Sequence, residues 1–191
     1  MLTHLIVKGD CMDFDKTIMF EISYGMYLIG SSSGERFNAQ AANSVIQVSP
    51  DPDVIITACI NKNNLTHRFI QETKRFSVSI LSDRSSLEFI GWFGFRSGNK
   101  INKFGNEQFT FNYIVEDFGG IKIPVVTDNS LSYLIAEVVS SHDVGSHTVF
   151  FGKVVGGKKI SDGKILTYSD YHTLKSGMTP KSAPSFIAQK E

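Results

Sequence analysis

The chain has 191 residues, 41% hydrophobic and 20% charged, which is enough apolar material for one domain with a buried core and excludes a disordered chain. Nineteen Lys and Arg balance nineteen Asp and Glu, so a formal net charge of +0 supplies no broad field for nucleic acid or an anionic membrane. Cys11 and Cys59 are too few for a disulfide framework and form no C-x-x-C pair, which suits a reducing compartment. The N-terminal stretch lacks the charged and apolar regions of a signal peptide, and nowhere do about 18 apolar residues run unbroken. The expectation is a cytoplasmic protein with no nucleic-acid or membrane partner, in which the Asn64-Leu65-Thr66 sequon has no glycosylation role.

Short runs rich in Val, Ile, Phe and Tyr alternate with Gly, Pro, Asn and Asp, the punctuation of a mostly β chain. Gly25 to Gly30 predicts the first strand, with Ser31 to Gly34 as the turn into a hairpin. Ala42 to Ser49 predicts another strand, stopped by Pro50-Asp51-Pro52-Asp53, and Val54 to Ile60 resumes as a buried strand. Leu65 to Lys74 predicts a short helix, with Leu65, Phe69 and Ile70 on one face and Asn64 or Thr66 as cap. Phe76 to Leu81 alternates as a strand, and Ser85 to Phe95 reads as a second helix ended by Arg96 to Asn99. Further strands are expected at Phe109 to Val115, Pro124 to Thr127, Leu131 to Ser140 and Thr148 to Val155, the last two as antiparallel neighbours, with Gly156-Gly157 as a turn. Ser176 to Pro184 reads as an extended tail. Without a repeated β-α-β unit, these elements suggest a closed or nearly closed antiparallel barrel.

Several chemistries lack their residues. No G-x-G-x-x-G opens a helix, Gly94 to Lys100 lacks the phosphate-loop spacing, and G-x-S-x-G and H-E-x-x-H are absent. The five histidines are scattered; His142 and His147 would face opposite sides of one regular strand, so no metal site is expected. Cys59, in an apolar strand without an adjacent cation, reads as an inert core thiol. The dense polar turn Asn61 to His67, just before a helix, offers backbone amides, a hydroxyl and a cation to an anion. The preceding strand sets Asn43, Ser44, Gln47 and Ser49 among apolar neighbours, a mixture suited to a flat heteroaromatic ring. The same residues equally describe a capped helix and a solvent-facing strand.

Taken together, Tyr24 to Tyr27, Asn38-Ala39 through Asn43 to Ser49, Pro52 and Asn61 to His67 resemble the flavin reductase family of FMN-binding split barrels. Phe76 to Leu81, Phe93 to Gly98, Lys103-Phe104 and Ser146 to Val154 extend the resemblance, the last being similar to the family's D-H-x-x-F-x-G-x-V stretch with Ser146 in place of its Asp. Tyr171-His172 and Lys175 to Pro184 resemble the tail that joins the flavoprotein half of high-molecular-weight rubredoxins to their rubredoxin, in a branch that includes flavoredoxins. The paired C-x-x-C motifs of a rubredoxin are missing, so the resemblance implies a separate electron acceptor.

The resemblance implies a mainly β fold, a six-stranded antiparallel Greek-key split β-barrel with short peripheral helices. Its expected division is an FMN-binding domain over residues 1–167 and an extended C-terminal arm over residues 168–191. It implies a homodimer holding one FMN per subunit, with NADH or NADPH as hydride donor and a separate acceptor, in one case a redox protein. Asn43, Ser44, Val45, Ile46, Gln47, Val48 and Ser49 would lie along the flavin ring. Cys59, Ile60, Asn61, Asn64, Thr66 and His67 would hold ribityl and phosphate, with Lys62, Ser97 and Lys103 adding to that site. His147 would border the nicotinamide or flavin as the catalytic side chain, and Tyr168, Tyr171 and Phe186 would anchor the arm. The alternative function is an FMN electron-transfer protein of the flavoredoxin kind, reduced by a protein partner; a non-redox binding module is the third.

Overall fold

The β-branched and aromatic runs pair as strands because each carries one face of side chains that must leave water, and a barrel hides that face with few helices. The computed structural model describes residues 15–173, 175 and 177–181. A 3-10 turn at Lys16–Glu21 precedes nine strands: β1 Tyr27–Ser33, β2 Arg36–Ala42, β3 Val45–Ser49, β4 Ile55–Asn61, β5 Arg75–Leu81, β6 Tyr113–Phe118, β7 Ile121–Val126, β8 Ser130–Val144 and β9 His147–Lys159. Three helices join them: α1 Leu65–Thr73, α2 Leu87–Phe95 and α3 Tyr168–Thr173. No helix among the described residues is long and apolar enough to cross a membrane.

Seven strands form one sheet in the order β2-β1-β5-β8-β9-β4-β3, every pair antiparallel, while β6 and β7 make a separate hairpin. The outermost strands β2 and β3 are consecutive in the chain and separated only by Asn43 and Ser44. Three Cα steps span at most about 11 Å, so the end of β2 and the start of β3 lie together and the sheet curls on itself as a barrel. Its interior confirms the curl: Ile29, Ile56, Ile60, Phe76, Val78, Ala136 and Phe150 form one buried cluster, with Ala42 of β2 and Val45 of β3 packed on it and Ile70 of α1 closing one end. Fully burying side chains such as Phe76 and Phe150 stabilises the fold by about 1.5–3 kcal/mol each.

The β6–β7 hairpin lies across β1 and β5. Ser77 Oγ donates to the Pro124 carbonyl, Ser32 Oγ donates to the Lys122 carbonyl, and Gly30 leaves no room for a Cβ, which would stand 2.4 Å from the Pro124 oxygen. On the other flank, α2 buries Phe89, Ile90, Trp92 and Phe93 in an aromatic cluster with Phe104, Phe109 and Phe111; Trp92 and Phe109 stack at 5.2 Å. Ser86 caps α2 by accepting from the Phe89 N–H at 3.1 Å.

The described chain departs from the sequence expectations in several places. The barrel sheet holds seven strands where six were expected, and the strands near residues 109–127 stand apart as β6 and β7, starting later than Phe109 because Phe109 and Phe111 turn into the aromatic cluster. Ser31, Ser32 and Ser33 belong to β1, not to a turn: Ser31 and Ser32 are buried, their hydroxyls donate to backbone carbonyls, and Gly34, at φ +56, takes the tight position. Gly156-Gly157 continues β9, since a side chain at Gly157 would strike the Tyr133 carbonyl of β8. His142 and His147 occupy different strands, joined by a turn at Gly145 with φ +55. Asn64 is the N-cap of α1 but makes no side-chain cap bond. The expected arm begins as α3, because Tyr168 and Tyr171 find burial in the α2 cluster and a helical turn places both there. The expected anchor Phe186 lies outside the described residues.

Candidate functional site

The closing seam of the barrel leaves a cavity of about 530 Å³ between β2, the start of α1, the end of α2 and α3. Ligand sites commonly occupy about 300–1,000 Å³. Strand β2 contributes Asn38 and Gln40, which point the same way because side chains alternate along a strand, followed by Ala41, Ala42 and then Asn43 at the seam. Asn61, Asn64 and Leu65 come from the turn into α1, and Phe93 to Gly98 from the end of α2. Lys103 completes one wall, and Tyr168, Tyr171 and Met178 to Lys181 close the other.

The wall has an unusual charge balance for a chain of zero net charge. Arg96, Lys103 and Lys181 line it, and among the described residues no carboxylate does. Lys103 is only 2% exposed; its Nζ donates to the Ala39 carbonyl at 2.9 Å and the Phe93 carbonyl at 3.0 Å, tying β2 to α2. Burial pushes its ammonium down to about 7, because the charged form is stripped of water and no carboxylate stands beside it. Asn38, 3% exposed, donates from Nδ2 to Thr66 Oγ1 at 2.8 Å, while its Oδ1 is buried without a partner. Gln40 Oε1 is likewise buried and unpartnered. Buried polar atoms are normally paired, so two orphan amide oxygens on one cavity wall call for a ligand that carries hydrogen-bond donors. Gly98 forms a cradle beside them: a Cβ there would stand 2.4 Å from Asn38 Oδ1.

The C-terminal segment is latched over this cavity by α3. Tyr171 Oη donates to the Met178 carbonyl at 2.8 Å, the Gly177 N–H donates to the Tyr171 carbonyl at 2.9 Å, and Thr179 Oγ1 bonds both Tyr168 Oη and His172 Nε2. Cys59 half-faces the cavity from β4, and burial raises its thiol, which keeps it protonated and poorly nucleophilic at neutral pH.

The residues singled out from the sequence divide. Asn43, Cys59, Asn61, Asn64, Ser97 and Lys103 line the cavity. Ser44, Val45, Ile46, Gln47, Val48, Ser49, Ile60, Lys62, Thr66, His67 and His147 are not on its wall. Ile46 and Val48 face outward at 60% and 46% exposure, Ile60 is in the barrel interior, and Thr66 is fully buried beneath Asn38. Lys62 and His67 turn toward the β8–β9 hairpin: Lys62 Nζ pairs with Asp143 at 3.0 Å, and Thr148 Oγ1 donates to Asp143 Oδ1 at 2.7 Å while standing 2.8 Å from His67 Nε2. Desolvation lowers the His67 imidazole and Lys62 lowers it further, against Asp143, which raises it. The Thr148 hydroxyl and then Lys62 hold the Asp143 carboxyl below its usual range. His147 stands opposite Asn61 in the β4–β9 register, its Nδ1 2.9 Å from Ser146 Oγ.

The sequence reading passed over Gln40, and named Asn38, Phe93, Arg96 and Gly98 in the family resemblance without giving them a site role. The available signal was Asn38 and Gln40 two apart in a strand, a pair of amides on one face.

Comparisons with known proteins agree with this architecture. The family model described as flavin reductase like domain matches residues 19–175. A high molecular weight rubredoxin of Moorella thermoacetica is 39% identical over 177 residues, covering 93% of this chain and 74% of that protein. A ferric-chelate reductase (NAD(P)H) of Archaeoglobus fulgidus is 38% identical over 176 residues, covering 92% and 99%. Among solved structures, an FMN-binding protein from Thermus thermophilus superposes with a TM-score of 0.69 at 19% identity, covering 98% of this chain and 100% of that one, which shows a shared fold.

Proposed function

Since the chain belongs to the flavin reductase like family, we propose that it is an FMN-dependent oxidoreductase that takes hydride from NADH or NADPH and passes electrons to a separate acceptor. The observation that carries this reading is the cavity wall, which sets three basic side chains and two orphan amide oxygens around a space with no carboxylate. FMN fits that wall: its phosphate is an anion, and its ribityl hydroxyls and ring N–H are donors for Asn38 and Gln40. When bound, the flavin supplies the two-electron chemistry that no side chain here provides.

The chain's own residues bind and orient. Asn61, Asn64 and Ser97, with Arg96 at the mouth, are placed to hold the phosphate and ribityl end, helped by the amides at the start of α1. Asn38 and Gln40 grip donor groups, and Phe93 with Tyr171 gives the cavity apolar faces against which a flat ring can lie. Met178 and Thr179, held by α3, exclude water from the outer side. His147, opposite Asn61, is assigned to the donor's approach, with Ser146 orienting its ring. A homodimer is part of this reading: β3 is a sheet edge whose outward Ile46 and Val48 favour cover by a second copy, which a measured solution mass tests.

The test is an absorbance spectrum of protein loaded with FMN, before and after anaerobic NADH or NADPH. Rapid bleaching of the flavin band supports the reductase reading. Bound flavin that resists bleaching moves the assignment to an electron carrier reduced by a protein partner, and failure to bind FMN overturns both.

A further inference from the structure

Lys103 is the one basic side chain on the cavity wall that is almost wholly buried, and its surroundings give it no counter-charge. Its acceptors are two neutral carbonyls, from β2 and from the end of α2, which leave the third N–H without a protein acceptor among the described residues. The other ionisable wall groups are Cys59 from β4, Arg96 after α2, Tyr168 and Tyr171 from α3 and Lys181 from the C-terminal segment; none is a carboxylate. On the packed elements themselves, β2 carries Arg36, whose Nη2 donates to the Gly98 carbonyl, and α2 carries Glu88 in its exposed first turn. Arg36, Arg96 and Lys181 are cations and cannot compensate an ammonium on Lys103.

We propose that Lys103 couples ligand charge to protonation: an anion enters this cavity together with a proton on Lys103 Nζ, and the neutral amine is the form that the empty cavity favours. The geometry gives the reason. A buried ammonium held only by carbonyls pays its full desolvation cost until an anion shares the cavity, and an anion beside a neutral amine lacks the charge that would hold it. The burial that brings the Lys103 ammonium down to about 7 puts this exchange within reach of neutral pH. The same contacts make Lys103 a positioning residue, since its Nζ ties β2 to α2.

The inference rests on the flavin reading, and calorimetry with FMN tests both separately. At pH 8 the FMN phosphate is already a dianion, so protons taken up on binding come to the protein. Titrations of the wild-type chain in two buffers of different ionisation enthalpy are expected to show uptake of most of one proton per FMN. Affinity is expected to fall by up to tenfold per pH unit between 7 and 9. Riboflavin, which lacks the phosphate, is expected to show neither effect. Lys103→Met is expected to abolish the uptake and flatten the pH dependence, and Lys103→Arg, permanently charged, to abolish the uptake as well. The wild-type pH profile needs no variant to fold. Affinity independent of pH, uptake equal with riboflavin, or uptake that survives Lys103→Met overturns the assignment of Lys103 alone. Absence of FMN binding at any pH overturns the flavin reading and this inference with it.

Discussion

The turn from β4 into α1 faces two ways, and its two faces differ in how far their polar groups are satisfied. Toward the β8–β9 hairpin, Lys62, His67, Thr148 and Asp143 form a closed network in which each partner is 3.0 Å or less from the next. Toward the cavity, Asn61 and Asn64 stand with Asn38, Gln40 and Lys103, where two amide oxygens are orphaned and a cation lacks a counter-charge. A group that already has its partner adds structure; a buried group without one marks where a ligand belongs. That contrast is why the cavity face is the one proposed to bind and the hairpin face is read as a brace.

The strongest way to break the comparison is to fill the cradle. Gly98→Ala drives a Cβ against Asn38 and is expected to weaken FMN by about 30-fold or more, read by flavin fluorescence titration, since small misplacements in a positioned site are expensive. Thr66→Val removes the acceptor of the Asn38 amide and leaves Nδ2 buried without a partner. Urea denaturation is expected to show a loss of about 1–3 kcal/mol, with FMN affinity reduced through the freed Asn38.

Lys103 predicts the sign of a pH effect on the ligand-free chain. Its folded pKa is depressed below that of a free lysine, so between about 7 and 10 the unfolded chain binds more protons than the folded one. Stability therefore rises with pH in that window and falls as pH drops through it. The contribution is at most about 1.4 kcal/mol per pH unit, and chemical denaturation of Lys103→Met is expected to show that slope removed.

The smallest effects belong to the hairpin face. Asp143→Asn is expected to leave FMN affinity within about twofold and to lower the His67 pKa, because Asp143 is what raises it; an NMR titration of the imidazole reads the shift. Lys62→Ala, breaking an exposed pair, is expected to cost no more than about 1 kcal/mol. A large loss of flavin from either variant would erase the distinction between the two faces.

Much of the barrel was legible because its signals are local. Alternation marked Phe76 to Leu81, turn residues bracketed β4, and spaced apolar residues gave α1. Ser31 and Ser32 misled because the hydroxyls that favour turns also satisfy themselves on backbone carbonyls, and only the placement of β5 and β7 reveals the Arg75 and Lys122 carbonyls that accept them. Within the candidate site, Asn61 and Asn64 were marked both by the polar turn and by the family resemblance and Lys103 by the resemblance, while the resemblance also pointed to β3 and Lys62, which do not line this cavity. Facing is decided by the tertiary partner: Asp143 draws Lys62 away, and the curl of the sheet sends Ile46 and Val48 outward. Gln40 and Gly98 carry no individual signal, since an amide in a strand and a glycine after a helix are ordinary until the cavity brings them together.

The two-residue link at Asn43 and Ser44 has a kinetic side. Ring closure in a barrel is slow when the meeting edges are distant in sequence, because the chain between them must give up its freedom before any contact rewards it. Here the edges are the nearest of neighbours, so the approach that curls the sheet is also among the most local. A chain cut at that link and rejoined at its ends would keep every strand pair and lose that advantage, turning the cheapest closure in the molecule into its most remote one.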